Sequence, residues 1–119
     1  MDEDIRFTKD FVASTTAVNV QYHKCDYRNT FRGLWGIASG DIGDADTITV
    51  VNLTDTKTLG VATFGDAPSA GEEATWVADT TNGNYINETD DILTFTLSIA
   101  ATVGLVSIGF ELDPHCRVP

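Results

Sequence analysis

Few cations, few histidines and almost no proline or cysteine mark this chain, and each scarcity narrows what it does. Beyond Gly33 the only basic residues are Lys57 and Arg117, set against thirteen Asp and Glu, and the whole chain carries a net charge of −11. A surface of that sign repels a phosphate backbone or an anionic membrane, so neither nucleic acid nor membrane is an expected partner. No stretch approaches the ~20 consecutive apolar residues that a membrane-spanning helix needs. The opening Met-Asp-Glu-Asp is acidic where a secretory leader carries basic residues, and no apolar run follows it, so synthesis in a cytoplasm is expected. Only two histidines, His23 and His115, are available for acid–base work. No G-x-S-x-G, H-E-x-x-H or phosphate-cradling glycine loop occurs, and an enzyme is not expected. The adjacent pairs Glu72–Glu73 and Asp90–Asp91 point to opposite faces if extended, so neither forms a facing dyad.

What is present is β-branched. Thr is abundant, Val and Ile add to it, and apolar residues make up 42% of a 119-residue chain long enough for one modest core. No apolar i, i+3, i+4, i+7 run exceeds two turns. The clearest strand is Ile92–Ile99, with Leu93, Phe95, Leu97 and Ile99 on one face and Thr94, Thr96 and Ser98 on the other. Val103–Leu112 repeats the pattern through Val106, Ile108, Phe110 and Leu112, and the short "AAT" between them predicts a hairpin. Thr47–Leu53 and Thr58–Phe64 flank "TDTK" and predict a second hairpin. In the first of those strands the apolar parity shifts from Ile48 and Val50 to Val51 and Leu53, which predicts a β-bulge near Val50. Shorter strands are expected at Ile5–Val12, Ala17–Tyr22, Phe31–Ala38 (Phe31, Trp35 and Ile37 on the core side) and Ala74–Ala78. Eight short strands at this spacing predict an all-β, antiparallel two-sheet sandwich, jelly-roll-like, as one domain over residues 1–119. Residues 1–14 form an arm or first strand, and 113–119 a C-terminal tail.

Candidate sites are sparse. "GDIGDAD" has the look of a calcium loop, but from Asp41 the chelating positions 3 and 5 fall on Gly43 and Ala45, and from Asp44 position 5 is Ile48. A less regular site using Asp44, Asp46 and Asp90 or Asp91 remains as a weak candidate, and turn formation explains the aspartates more simply. Cys25 and Cys116 each stand beside a histidine, in "HKC" and "HC". Free thiols, a Cys25–Cys116 disulfide and a Cys2His2 zinc site are all chemically open. No cofactor is expected. Trp76 and Tyr85 suit either packing or stacking on a sugar. The triplets "NLT" at 52–54 and "NET" at 87–89 match the glycosylation pattern that chance produces in a Thr-rich chain.

Read in order, "FRGLWGIASGDIGDADTITVVN", "TLGVATFGDAPSAGEEATWV", "INETDDILTFTLS" and "GLVSIGFELDP" resemble the capsid decoration, or cement, proteins of tailed bacteriophages. The resemblance spans roughly Phe31 to Pro114. It implies a structural virion protein: a jelly-roll-like homotrimer on the outer capsid surface, bound to the major capsid protein and clamping neighbouring capsomers. It brings no catalytic or ligand residue with it. The chain departs from the pattern in lacking a long capsid-binding arm, for which Met1–Ser14 would be a short substitute. The N-terminal third, where five basic residues balance five acidic ones, is the expected docking or subunit-contact side. Its candidates are Arg6, Phe7, Lys9, Phe11, Lys24, Arg28 and Arg32, joined by Trp76 and Tyr85. The alternative reading is a carbohydrate-binding module or receptor-binding tail-fibre sandwich that stacks sugars on Trp76 and Tyr85.

Overall fold

The structure, a computed structural model, describes residues 5–12 (side chains to residue 9), 20–40, 46–65, 68–81, 85–98 and 105–115. Its described residues form nine strands: β1 (Ile5–Val12), β2 (Val20–Lys24), β3 (Asn29–Ala38), β4 (Thr47–Asn52), β5 (Lys57–Thr63), β6 (Thr75–Ala78), β7 (Ile86–Asn87), β8 (Ile92–Leu97) and β9 (Leu105–Pro114). They build two antiparallel sheets, one ordered β1-β9-β3-β7 and the other β2-β8-β4-β5-β6. The architecture is the expected all-β sandwich. The two-residue β7 lies beyond the expected eight, because so short a strand leaves no alternation to read.

The connectivity is a nest of hairpins. β4 pairs with β5, β3 with β7, β2 with β8 and β1 with β9, so the chain is one long antiparallel ribbon wound across both sheets. With β6 set aside as an added edge strand, the orders 1-9-3-7 and 2-8-4-5 are those of a jelly roll. This corrects the expected β8–β9 hairpin. Both strands bury one apolar face, but from opposite sides of the core. β8 is flanked by β2 and β4, and β9 by β1 and β3.

The core matches the alternation where that alternation is strongest. Leu93, Phe95 and Leu97 face Val106, Ile108, Phe110 and Leu112 from opposite sheets, and all are buried. The expected β4–β5 hairpin and its irregularity are both present, with a register shift between Val50 and Val51. The cause differs from the expected one. β4 keeps strict alternation and buries Ile48, Val50 and Asn52, while Leu59 is the extra residue on β5, between the pairs Val50–Gly60 and Val51–Thr58. β3 also departs. A shift between Phe31 and Gly33 turns Leu34, Gly36 and Ala38 inward, leaving Trp35 on the outer face at 36% exposure. In β2 the apolar Val20 and Tyr22 lie on the outer face, and the polar Gln21 and His23 turn toward the core.

Candidate functional surfaces

At one end of the sandwich, β2 runs into β3, β4 turns into β5 and β9 finishes. There the structure gathers four of the expected docking cations. Each meets a carboxylate of the same chain: Arg6 Nε–Glu111 Oε1 2.8 Å, Lys24 Nζ–Asp90 Oδ1 3.6 Å, Arg28 Nε–Glu88 Oε2 3.1 Å, and Arg32 Nη2 with Asp113 Oδ2. Exposed pairs of this kind stabilise a fold by no more than about 1 kcal/mol each, so this end is a polar patch of matched charges. Tyr85 lies beside it, its carbonyl accepting from Phe31 N at 2.7 Å. Lys9 lies farther along β1, close enough to His23 to act on its charge. The side chain of Phe11 lies outside the described residues.

Phe7 belongs to the interior. Its ring lies 4.4 Å from that of His23 and 5.2 Å from Phe110, and rings continue through Phe95 (4.5 Å from Phe110) and Phe31 to Trp76, 5.6 Å from Phe31. The series runs between the sheets from the β1–β2 opening to the β6 edge. Burial and the charge of Lys9 lower the pKa of His23, with Asp26 opposing them, so the imidazole is held neutral as a core plug. Trp76 is half-buried against this core. Near it, Thr30, Phe31, Arg32, Ala78, Thr80 and Tyr85 line a pocket of about 430 Å³.

Beneath the charged end lies a buried polar cluster that the alternation rule does not find. Asn52 donates to Asn87 Oδ1 (3.0 Å) and Asp91 Oδ2 (2.8 Å), and Asn87 donates to Asn29 Oδ1 (2.9 Å). Asn29 in turn donates to the Tyr27 carbonyl (3.0 Å), and Asn52 Oδ1 accepts from Asp55 N (3.1 Å), closing the β4–β5 turn. Asn29, Asn52 and Asn87 are fully buried. The two asparagines of the glycosylation triplets are therefore structural, joined to each other and closed to a glycosyl donor. Their signal in the sequence is the apparent parity break after Val50, where a polar residue takes a core position.

Cys25 borders this cluster as a fully buried free thiol. Burial raises its pKa, Asp91 and Asp26 add to the rise and a hydrogen bond with Asn29 opposes it, so it stays protonated and poorly nucleophilic. Cys116 lies outside the described residues. Of the zinc alternative's four residues, the described ones are engaged elsewhere: His23 is packed between Phe7 and Phe110, and His115 Nε2 meets Thr30 Oγ1 at 2.7 Å. The calcium candidates are likewise separated. Asp46 is buried before β4, whereas Asp91 sits beyond the opposite end of the β4–β8 ladder, bound to Asn52. Asp90 pairs with Lys24, and Asp44 lies outside the described residues. Among the described residues no three His, Cys, Asp or Glu side chains are placed to share a metal ion.

The two outer faces differ. On the outer face of the four-stranded sheet, Trp35 stands across from Gly109 and Thr8, with the Arg6–Glu111 and Arg32–Asp113 pairs toward the charged end. Across the five-stranded sheet, one row reads Val20, Thr96, Thr49, Val61, Val77. A second reads Tyr22, Thr94, Val51, Thr58, and a third Thr47, Thr63, Thr75. No ionic side chain interrupts these rows, and Lys24 stands at their margin with Asp90. Fold and surfaces together define an antiparallel jelly-roll sandwich whose exposed chemistry is a charged end and a sheet face with uncharged central rows. No protein-family model matches the sequence, and no curated protein matches it.

Proposed function

We propose that this protein is a structural virion protein of the tailed-phage decoration type, a homotrimer bound to the outer surface of a capsid through contacts with the major capsid protein. The observation that carries the reading is the convergence of Arg6, Lys24, Arg28 and Arg32, basic residues of the N-terminal third, on one end of a closed jelly roll. Exposed intramolecular ion pairs cost little to exchange for intermolecular ones. A patch of matched charges therefore suits docking that is repeated over a symmetric shell, where many weak contacts add through effective concentration. The sandwich itself suits a reinforcing role, since jelly-roll strands resist shear through ladders on both sides of β8, β9, β3 and β4. The test is co-sedimentation of the purified protein with capsids. Reversing Arg28 and Arg32 together to Glu should abolish pelleting while leaving the thermal midpoint within a few degrees. Pelleting that ignores the reversal, or a protein that ignores capsids altogether, refutes the docking assignment or the reading respectively.

The pocket lined by Arg32, Thr80 and Tyr85 favours one second reading, a carbohydrate-binding module. Trp76 is committed to packing against Phe31, which leaves Tyr85 as the stacking ring. Glycan binding lost in Tyr85→Ala would support that reading, and a blank glycan array would remove it.

A further inference from the structure

We infer that copies of this chain associate through the outer face of the five-stranded sheet. The inference rests on the proposed reading only for the idea that copies assemble, and it adds the surface on which they meet.

The first argument is charge. Each copy carries −11, so two copies approaching at random bring like charges together, which costs several kcal/mol at a desolvated contact. The rows running from Val20 and Tyr22 to Val77 and Thr75 escape that penalty because they contain only Val, Thr and Tyr. The second is stiffness. Val and Thr are restricted at χ1 and already ordered by the sheet, so little side-chain entropy is lost when they are covered. The third is size. Five strands spaced ~4.8 Å apart and about six residues long offer on the order of 500–700 Å² per copy, or roughly 1,000–1,400 Å² in total, enough for a specific interface. The fourth is what the face already exposes. Val77 is 66% and Tyr22 59% exposed, the two largest exposures among the bulky apolar side chains described, and they lie at its opposite edges. Nothing in such a face needs a cation or an anion from its partner. A second copy of an acidic chain is the occupant that gains most from it.

Sedimentation velocity of the full chain tests this over a range of protein and salt concentrations. Self-association is expected, and it should strengthen in high salt because the repulsion of two −11 bodies is screened. Val61→Lys and, separately, Thr49→Lys should weaken association on the order of 100-fold or more, since either buries an unpaired ammonium group in the middle of a desolvated contact. Thr8→Lys on the other sheet's outer face should leave it unchanged. Near-ultraviolet circular dichroism of each variant separates lost association from lost fold. A monomer at all concentrations and salts overturns the inference. So does an oligomer that survives both lysine variants, or one that weakens with salt and dissolves on Arg28→Glu. A chain that assembles through this face yet ignores capsids would remove the proposed function and leave the inference standing.

Discussion

Trp35, on the outer face of the four-stranded sheet, and Trp76, on the inner face of the five-stranded one, solve one packing problem. Each ring lies across a glycine of a neighbouring strand, Trp35 over Gly109 and Trp76 over Gly60, so closely that a Cβ on either glycine would collide with the indole. In both places the ring covers backbone that a glycine leaves bare, the device by which aromatic residues restore lost strand contacts. The surroundings then diverge. Trp76 sits between the sheets, touching Phe31 and reaching Gly33 of the opposite layer, and the Val77 carbonyl oxygen stands only 2.7 Å from where a Cβ on Gly60 would project. Trp35 is partly exposed on the outer face of the other sheet, with Gly109 and Thr8 as its cross-strand neighbours. A tryptophan over a glycine is thus a sheet contact first, and burial decides whether it is also core.

The contrast can be broken from the largest effect downwards. Trp76→Ala should destabilise the fold by about 3 kcal/mol, because it empties the space between Phe31 and Gly33, and urea titration reads the loss. Gly60→Ala should cost roughly 1–3 kcal/mol, since the added methyl meets backbone as well as ring. Trp35→Ala should cost about 1 kcal/mol, the partial burial of one ring face, and acrylamide should quench Trp35 more efficiently than Trp76. Gly109→Ala should cost less than about 1 kcal/mol, because the exposed Trp35 ring can swing outward. Equal costs for the two glycine variants would erase the distinction.

At the opposite opening the plug is His23, and acid replaces mutation as the probe. Its folded pKa lies below the ordinary imidazole value of about 6.5, so the unfolded chain takes up the proton first. The stabilisation from neutral His23 is complete above that value and declines as the pH falls below it toward the folded pKa. Thermal midpoints measured across this window should show the decline, and His23→Phe should flatten it. His23→Phe removes this imidazole alone, which keeps its effect apart from that of the carboxylates.

Legibility in the sequence follows the regularity of the strands. β8 and β9 are readable because period-two alternation is unbroken from Leu93 to Leu97 and from Val106 to Leu112. Their partners are not, because alternation states which face is buried and is silent on which sheet buries it. Trp35 falls on the wrong face of a simple alternation because one extra residue near Arg32 reverses the parity of everything after Phe31. The cluster of Asn29, Asn52, Asn87 and Asp91 is hidden for a different reason. A buried asparagine looks like a turn residue until its partners, 35 to 58 positions away, are brought to it. The cations of the N-terminal third stand out as a group in the sequence, yet their carboxylate partners come from β9 and the β7–β8 loop, distances no local pattern reports.

The nested pairing also sets an order of events. Among the described strands β1 pairs with β9 alone and β2 with β8 alone, so both must wait for strands that are made much later. Among the described strands the meander β4–β5–β6 alone joins neighbours in sequence, and loop-closure entropy makes it the natural place for structure to begin. Shape would then spread outward, inner hairpin before outer, with Leu105–Pro114 closing the molecule. A chain truncated within β9 should therefore fail as a whole and not merely lose an edge. Synthesis through β9 is in effect a checkpoint, passed before the sandwich can become stable.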